Sequence, residues 1–186
     1  MFDIQFFVEQ CRAALSEKNV HAAVKEIIAR ALARPSQVAQ ALGESKLSGI
    51  QPLYRSESLT ILNVLWGPCM RLYPHNHLMW AVIGVYGGRE DNVFYRRNDS
   101  GLYESGAKTL ETRDVVSLGD EVIHSVTNPL EQITAAIHVY GGDFFAVPRS
   151  EWDPQTFKEG PFDLAHAMQV FEESNERLRN RYPIDS

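Results

Sequence analysis

The feature that most constrains the fold is a long series of short strand patterns in the middle of the chain. From Ser58 to Tyr140, runs rich in Val, Ile, Thr and aromatic residues alternate with Gly, Pro, Asn and Asp, without a helical period between them. Strands that follow one another this closely form an antiparallel sandwich or a small barrel, because a parallel sheet needs helical crossovers. The chain is therefore predicted to be mainly β. The predicted strands are 58–66, 78–86, 91–97, 108–112, 114–117, 121–127 and 132–140.

Helical patterns flank the strand region on both sides. Between residues 2 and 42, apolar residues recur at spacings of three and four, the period of one helix face. Pro35 suits the first turn of a short helix, and Gly43 suits its end. A further helical stripe follows the strands. We expect one domain over 1–186, with a helical N-terminal extension over 1–45, a β-barrel over 50–150 and a C-terminal helix over 160–182.

Charge and composition exclude several classes of function. The 186 residues include 18 Lys and Arg against 24 Asp and Glu, and the basic residues are scattered. No nucleic-acid partner is expected, because binding a phosphate backbone needs a basic surface. The start, MFDIQFF, lacks the positive charge of a signal peptide, and no apolar run approaches the roughly 18 residues of a membrane span. Cys11 and Cys69 lie in dissimilar surroundings and indicate no disulfide framework, so a cytoplasmic location is predicted.

Three of the six histidines have the spacing of metal ligands. His75 and His77 stand two residues apart, just before the strongest strand pattern at 78–86. Residues i and i+2 of a strand face the same way. His124 lies on a later strand that, folded antiparallel, could deliver a third imidazole. Iron, nickel, copper and zinc all accept imidazole nitrogen, so the ligand set does not name the metal. A pair of hydrogen-bonded histidines in a loop after Pro74 explains His75 and His77 equally well.

The strand region resembles the two motifs of the cupin superfamily. One motif places a glycine after two paired histidines, as Gly88 follows His75 and His77. The other ends in a histidine with an asparagine four residues later, as His124 and Asn128 do. The resemblance implies a cupin-type double-stranded β-helix barrel, which in this chain carries N-terminal helices and a C-terminal helix.

The glutamate ligand of the usual first motif is absent from this sequence. Ala81 stands in its place, and in this respect the chain is similar to the thiol dioxygenase branch of the cupins, which holds iron by three histidines. The segment AAIHVYGG is similar to the strand that carries a Ser-x-His-x-Tyr group beside the iron in that branch. His138 and Tyr140 match this group, and Ala136 replaces its serine. The hydrogen bond of that serine would then be absent or come from elsewhere.

The resemblance implies a non-haem iron thiol dioxygenase, an oxidoreductase that converts a small mercapto acid and O2 to the sulfinic acid. Fe(II) would be held by the three histidines, while His138 and Tyr140 would handle oxygen and protons. The carboxylate of a cysteine or 3-mercaptopropionate type of substrate would bind an arginine. Arg149 resembles the carboxylate-binding arginine of the 3-mercaptopropionate enzymes, and Arg55, one residue out of register, resembles that of the cysteine dioxygenases. Without the resemblance, Arg149 and Arg55 would be interpreted as ordinary surface arginines, and His138 with Tyr140 as a buried polar pair that fills the barrel interior.

Two other functions stay open on the sequence. The same histidines could hold manganese, nickel or zinc in a cupin enzyme with an unrelated small substrate, an alternative that Ala136 keeps open. The chain could also be a non-catalytic cupin that binds a small ligand. In each case we expect small-molecule partners, no nucleic acid, no membrane, and a monomer or homodimer. His21 and His166 lie in helical segments away from other ligand candidates and are predicted at the surface.

Overall fold

The structure is a computed structural model and describes residues 1–43 and 46–181. Residues 44 and 45 of the predicted N-terminal extension and residue 182 of the predicted C-terminal helix lie outside the described residues. In chain order the elements are α1 (Ile4–Ala14), α2 (Val20–Leu32), α3 (Pro35–Leu42), β1 (Gly49–Arg55), β2 (Thr60–Trp66), β3 (Arg71–Asn76), β4 (Ala81–Gly87), β5 (Arg89–Asn98), β6 (Gly101–Glu111), β7 (Val115–Leu118), β8 (Ile123–Thr127), β9 (Thr134–Tyr140), β10 (Ser150–Trp152), β11 (Glu159–Pro161) and α4 (Leu164–Arg181).

The strands form two antiparallel sheets that face each other across a common core. One sheet has five strands in the order β1-β2-β9-β4-β7, and the other has six in the order β11-β10-β3-β8-β5-β6. Side chains of both sheets meet in one buried apolar cluster, to which α4 adds Ala167 and Phe171. This is a cupin-type double-stranded β-helix barrel with helices at both ends. The fold class predicted from the strand patterns and the resemblance is confirmed.

The five-stranded sheet is covered on both faces. In β9, Ala136, His138 and Tyr140 face the barrel interior, whereas Ile137 and Val139 pack against the N-terminal helices. Burial on both faces explains why β9 has a nearly continuous apolar sequence. The predicted helices between residues 2 and 42 are confirmed as α1, α2 and α3. None of the helices in the described ranges combines the length and apolar composition that a bilayer span requires.

Helix α2 approaches β4 closely at Gly84. A Cβ atom at this position would lie 2.3 Å from Cγ2 of Ile28 and 2.8 Å from Cδ1 of Leu32. Such distances are far inside van der Waals contact, so the helix can pack at this depth only because residue 84 has no side chain.

Gly88 and Asn128, which match the cupin motifs, both hold the barrel together. Gly88 has a φ of 83°, a conformation that favours glycine, at the junction of β4 and β5. Asn128 is fully buried, and its Nδ2 donates to the carbonyl oxygens of Trp66 and Gly67. Its Oδ1 accepts from the hydroxyl of Thr134. Backbone geometry therefore explains the glycine at position 88, and buried hydrogen bonds explain the asparagine at position 128.

Four strands were not predicted, and one is longer than predicted. The sequence pattern missed β1, β3, β10 and β11, and it predicted 108–112 where β6 begins at Gly101. Strand β6 forms the edge of its sheet and is almost wholly exposed, so it needs no apolar alternation. The barrel strands extend past the predicted end at 150. The C-terminal helix begins at Leu164, so its predicted start at 160 is wrong.

Both cysteines are free thiols. Cys11 is buried in the helical layer, and Cys69 is exposed beside β3. Burial raises the pKa of Cys11 to about 12, so this thiol is protonated at neutral pH.

Candidate metal centre

Three histidine side chains meet inside the barrel, as the spacing predicts. His75 lies on β3 and pairs in register with His124 on β8, and His77 follows the end of β3. Nε2 of His77 is 3.2 Å from Nε2 of His75 and 3.3 Å from Nε2 of His124. All three residues are at most 4% exposed. Their ligand atoms lie within 4.8 Å of one another, and no other described His, Cys, Asp or Glu side chain joins this group.

The two distances from Nε2 of His77 fit ligands of one metal ion. Imidazole nitrogen binds zinc at about 2.1 Å, so two such ligands are about 3.0 Å apart at a right angle and about 3.4 Å apart at a tetrahedral angle. Nδ1 of His75 is 3.0 Å from the carbonyl oxygen of Tyr73, and Nδ1 of His124 is 2.8 Å from Oδ1 of Asn92. Both partners are acceptors, so each Nδ1 carries the hydrogen and each Nε2 presents its lone pair.

The three imidazoles are neutral at physiological pH. Desolvation by burial lowers the pKa of His75 to about 4. Desolvation, followed by repulsion from a neighbouring imidazole, also holds the pKa values of His77 and His124 well below the usual range. Neutral imidazole is the form that binds a metal. The residues present therefore fit an ion held by three uncharged nitrogens.

Strand β9 contributes a second polar pair to the same interior. Nδ1 of His138 is 2.9 Å from the hydroxyl oxygen of Tyr140. The Tyr140 ring lies 5.0 Å from the His77 ring, centroid to centroid, in an edge-on arrangement. Burial raises the pKa of Tyr140, so its phenol is protonated at neutral pH.

A fully buried carboxylate lies behind these two groups. Oε2 of Glu90 accepts from Nε1 of Trp66 at 2.8 Å, and Oε1 accepts from Nδ2 of Asn92 at 3.0 Å. Oε2 is also 3.5 Å from Nε2 of His138. Burial raises the pKa of Glu90, but the contacts with His138, Asn92 and Trp66 outweigh it, and the pKa lies below its usual range. Glu90 is therefore an ionised group inside the barrel.

The sequence interpretation missed Glu90 and Asn92. The available signal was weak: two polar residues at alternate positions of a strand, which share one face. Neither residue is part of the histidine group that could hold a metal.

The three clustered histidines, together with His138 and Tyr140, line one apolar cavity. Helix α4 closes part of it. The remaining wall residues are Ile50, Leu62, Val64, Trp66, Leu72, Val126, Phe144, Phe162, Leu164, Ala167 and Phe171.

The two candidate arginines lie in different environments. Arg149 is 8% exposed, and its guanidinium carbon is 4.1 Å from the ring centroids of both Phe144 and Phe162. Its Nη1 donates to the carbonyl oxygen of Phe144, and its buried Nε has no partner among the described residues. Arg55 is half-exposed, and its Nε and Nη2 each lie 2.9 Å from a carboxylate oxygen of Asp143. The structure thus brings Arg149 beside the cavity wall and holds Arg55 in a surface ion pair.

The last two histidines stay apart from the centre. His166 is exposed, with Nδ1 3.1 Å from Oε1 of Glu151, as predicted for a surface residue. His21 is half-buried beside Trp80, with a ring-centroid distance of 5.3 Å.

Comparisons with known proteins match the barrel but not a particular family. No family model matches the chain. An RmlC-like cupin family protein with a double-stranded β-helix fold from Methanocaldococcus jannaschii is 12% identical, covers 55% of this chain and 86% of its own, and has a TM-score of 0.46. A cupin superfamily protein from Desulfitobacterium hafniense is 12% identical and has a TM-score of 0.45. The match covers 55% of this chain and 86% of that protein. A variant of Bacillus subtilis oxalate decarboxylase is 16% identical and has a TM-score of 0.39. The match covers 49% of this chain and 23% of that enzyme, so this chain spans about a quarter of the enzyme's length.

All three TM-scores are below 0.5, so these likenesses carry no argument about function. The two facing sheets and the three converging histidines form a β-barrel with a candidate site for one metal ion.

Proposed function

We propose that this cupin-type protein is an iron-dependent thiol dioxygenase. It takes a small mercapto acid of the cysteine or 3-mercaptopropionate type and O2, and it forms the sulfinic acid according to R–SH + O2 → R–SO2H. The observation that carries the proposal is a group of three neutral histidines without a carboxylate, adjacent to the His138 and Tyr140 pair.

The ligand set favours an anionic sulfur ligand. His75, His77 and His124 would hold the ion through Nε2, and being neutral they leave its full +2 charge available to a thiolate. When bound, Fe(II) supplies the positive charge and the redox chemistry that oxidation of the thiol requires. A carboxylate ligand would reduce that charge, and Ala81 cannot provide one.

Arg149 is the residue we assign to the substrate carboxylate. Burial lowers the pKa of its guanidinium, as expected for a buried cation without an anionic partner. Two phenyl rings offset part of this cost, but the unpartnered Nε still needs an acceptor. Its positive charge also contributes to the lowered pKa values of His75 and His77, as expected for a cation close to the metal ligands. Arg55 already has a bidentate partner in Asp143 and is not part of this assignment.

His138 and Tyr140 are the residues we assign to hydrogen bonding and proton handling. The phenol stays protonated, its ring lies edge-on to His77, and its oxygen is 2.9 Å from Nδ1 of His138, so the pair can accept a hydrogen bond from a molecule bound in the cavity and relay its proton. The apolar walls exclude water, which strengthens each of these polar contacts.

The proposal is tested with the purified full chain loaded anaerobically with Fe(II). Oxygen uptake is measured with cysteine, 3-mercaptopropionate and cysteamine, a thiol without a carboxylate, and the product formed under ¹⁸O2 is analysed by mass spectrometry. We expect turnover of a mercapto acid, slower turnover of cysteamine, and both oxygen atoms of the sulfinate from O2. Absence of turnover with every thiol despite bound iron would refute the proposal.

The same experiment separates the other two functions. Activity on a different substrate only with manganese, nickel or zinc would indicate another cupin enzyme. Ligand binding that survives in His75→Ala, without turnover in the wild type, would indicate a non-catalytic binding protein. The proposed partners are a small thiol and O2 in a reducing cytoplasm, which suits an exposed free Cys69.

A further inference from the structure

We propose that Glu90 is a positioning residue of the metal centre, which through its hydrogen-bond donors fixes the tautomers of both the ligand His124 and the non-ligand His138. The inference rests on the metal site of the proposed function but not on thiol oxidation. Its starting point is the position of Glu90, on the inner face of the six-stranded sheet, where it contacts side chains of both sheets.

The first path leads from Glu90 to a metal ligand. An ionised carboxylate only accepts hydrogen bonds, so the group of Asn92 that meets Oε1 of Glu90 at 3.0 Å must be its NH2. The amide oxygen of Asn92 then points the other way, toward Nδ1 of His124 at 2.8 Å. Because that oxygen is an acceptor, His124 must carry its hydrogen on Nδ1. Its Nε2 lone pair is thereby left for the ion.

The second path leads from Glu90 to His138. Nε2 of His138 is buried without a hydrogen-bond partner among the described residues, and Oε2 of Glu90 is the anionic atom 3.5 Å away. A nitrogen lone pair aimed at this oxygen would be repelled, whereas an N–H group is attracted. His138 therefore carries its hydrogen on Nε2. Its Nδ1 accepts from the hydroxyl of Tyr140 at 2.9 Å.

A carboxylate is the group that satisfies all the donors at this point. Trp66 Nε1, Asn92 Nδ2 and Nε2 of His138 converge on the two oxygens of Glu90. A glutamine of the same size has one oxygen and one NH2, so at least one of these donors would meet another donor. Glu90→Gln is thus expected to weaken both the contact with Asn92, which holds His124, and the contact with His138. The volume of the core stays unchanged.

Glu90 also accounts for the missing serine. Ala136 lies two residues before His138 on the same face of β9 and offers no hydroxyl. The acceptor for His138 comes from the opposite sheet instead, from a residue that also binds Asn92, the partner of His124.

The test compares Glu90→Gln with Asp91→Asn in the full chain loaded with zinc, a diamagnetic probe. Asp91 is the neighbouring carboxylate on β5 and pairs with Arg89 at the surface, which makes D91N a matched control. Zinc affinity is measured by titration, and imidazole N–H signals are measured by ¹⁵N NMR of histidine-labelled protein. In the wild type we expect hydrogen on Nδ1 of His124 and on Nε2 of His138. In E90Q we expect the His138 signal to move or vanish and the zinc affinity to fall by about 10- to 100-fold, with D91N unchanged.

A variant that retains Glu90 keeps the inference falsifiable if E90Q folds poorly, and a double variant extends the test if E90Q folds. Asn92→Ala cuts only the first path, so we expect weaker zinc binding with the His138 signal retained. Adding Ala136→Ser to E90Q supplies a hydroxyl beside His138, so we expect recovery of its Nε2–H signal without recovery of zinc affinity. Wild-type zinc affinity in N92A, or an unchanged His138 signal in folded E90Q, overturns the inference. None of these readouts requires thiol turnover, so their failure is distinct from failure of the proposed function.

Discussion

Acid is expected to destabilise the metal-free protein strongly between pH 7 and pH 5. A histidine in the unfolded chain has a pKa near the ordinary value of 6.5, whereas the pKa of folded His75 is about 4, and those of folded His77 and His124 lie well below 6.5. Between these values the unfolded chain binds protons that the folded chain does not. Each histidine therefore contributes stability that is fully present above pH 6.5 and is lost as the pH falls below it.

The size of the effect follows from the same pKa values. The slope is about 1.4 kcal/mol per pH unit for a histidine between its two pKa values, so lowering the pH from 7 to 5 costs about 2 kcal/mol for His75. His77 and His124 add losses of the same sign. A domain of ordinary stability has only about 5 to 15 kcal/mol in total. Below pH 4 the folded protein protonates His75 as well, and the contribution of that residue stops changing.

The assay is urea unfolding in the presence of a chelator at pH 7, 6 and 5, followed by the fluorescence of buried Trp66. His75→Gln removes the group whose folded pKa is about 4, so its loss between pH 7 and 5 is expected to be about 2 kcal/mol smaller than that of the wild type. His21→Gln, outside the centre, is the control and should follow the wild type. A wild-type loss below about 2 kcal/mol, or an equal loss in H75Q, would refute the reasoning.

Three further predictions follow from the site and the core. Arg149→Gln is expected to raise the KM of the iron-loaded enzyme for a mercapto acid by about 10- to 100-fold, with R55Q close to wild type, because it removes a charge-assisted contact. Tyr140→Phe is expected to lower kcat in oxygen-uptake assays while zinc titration gives the wild-type affinity, since its ring lies beside His77 but its hydroxyl is directed to His138. Gly84→Ala is expected to cost about 3 kcal/mol in urea melts, because its Cβ would overlap helix α2. Gly106→Ala, whose Cβ would meet no atom within 4 Å, is its control.

Local sequence signals were sufficient for most of the barrel strands and for the candidate metal ligands, but not for the pairing of β3 with β8 that brings His75 opposite His124. Strand β9 could be predicted because four of its seven residues (Thr, Ile, Val and Tyr) are β-formers. His138 and Tyr140 share a face because they stand two positions apart, a relation that holds in any strand. That relation depends on periodicity alone.

Other features depend on the tertiary structure and left no local signal. Strand β3 contains Pro74 and lies in the interior of its sheet, where proline is rare, so the sequence around the histidines resembles a loop. Strand β6 is polar because it is an exposed edge. The contact of Glu90 with His138 joins two sheets across the barrel, and it is set by the packing of β5 against β9 and by no spacing along the chain.

The interior holds two charged side chains whose surroundings differ, and this contrast underlies the roles we assign to them. Glu90 is completely buried, yet three donors face its oxygens, so its charge is satisfied within the protein and can fix the orientation of neighbouring rings. As a ligand it would cancel part of the charge on a bound ion, whereas from behind the imidazoles it contacts His138 and reaches His124 through Asn92. Arg149 is also buried, but it has two aromatic rings, one carbonyl oxygen and no described carboxylate within ion-pair distance. A buried cation without an anion is costly until an anion arrives. For this reason we assign Glu90 to the construction of the site and Arg149 to the binding of an anionic substrate.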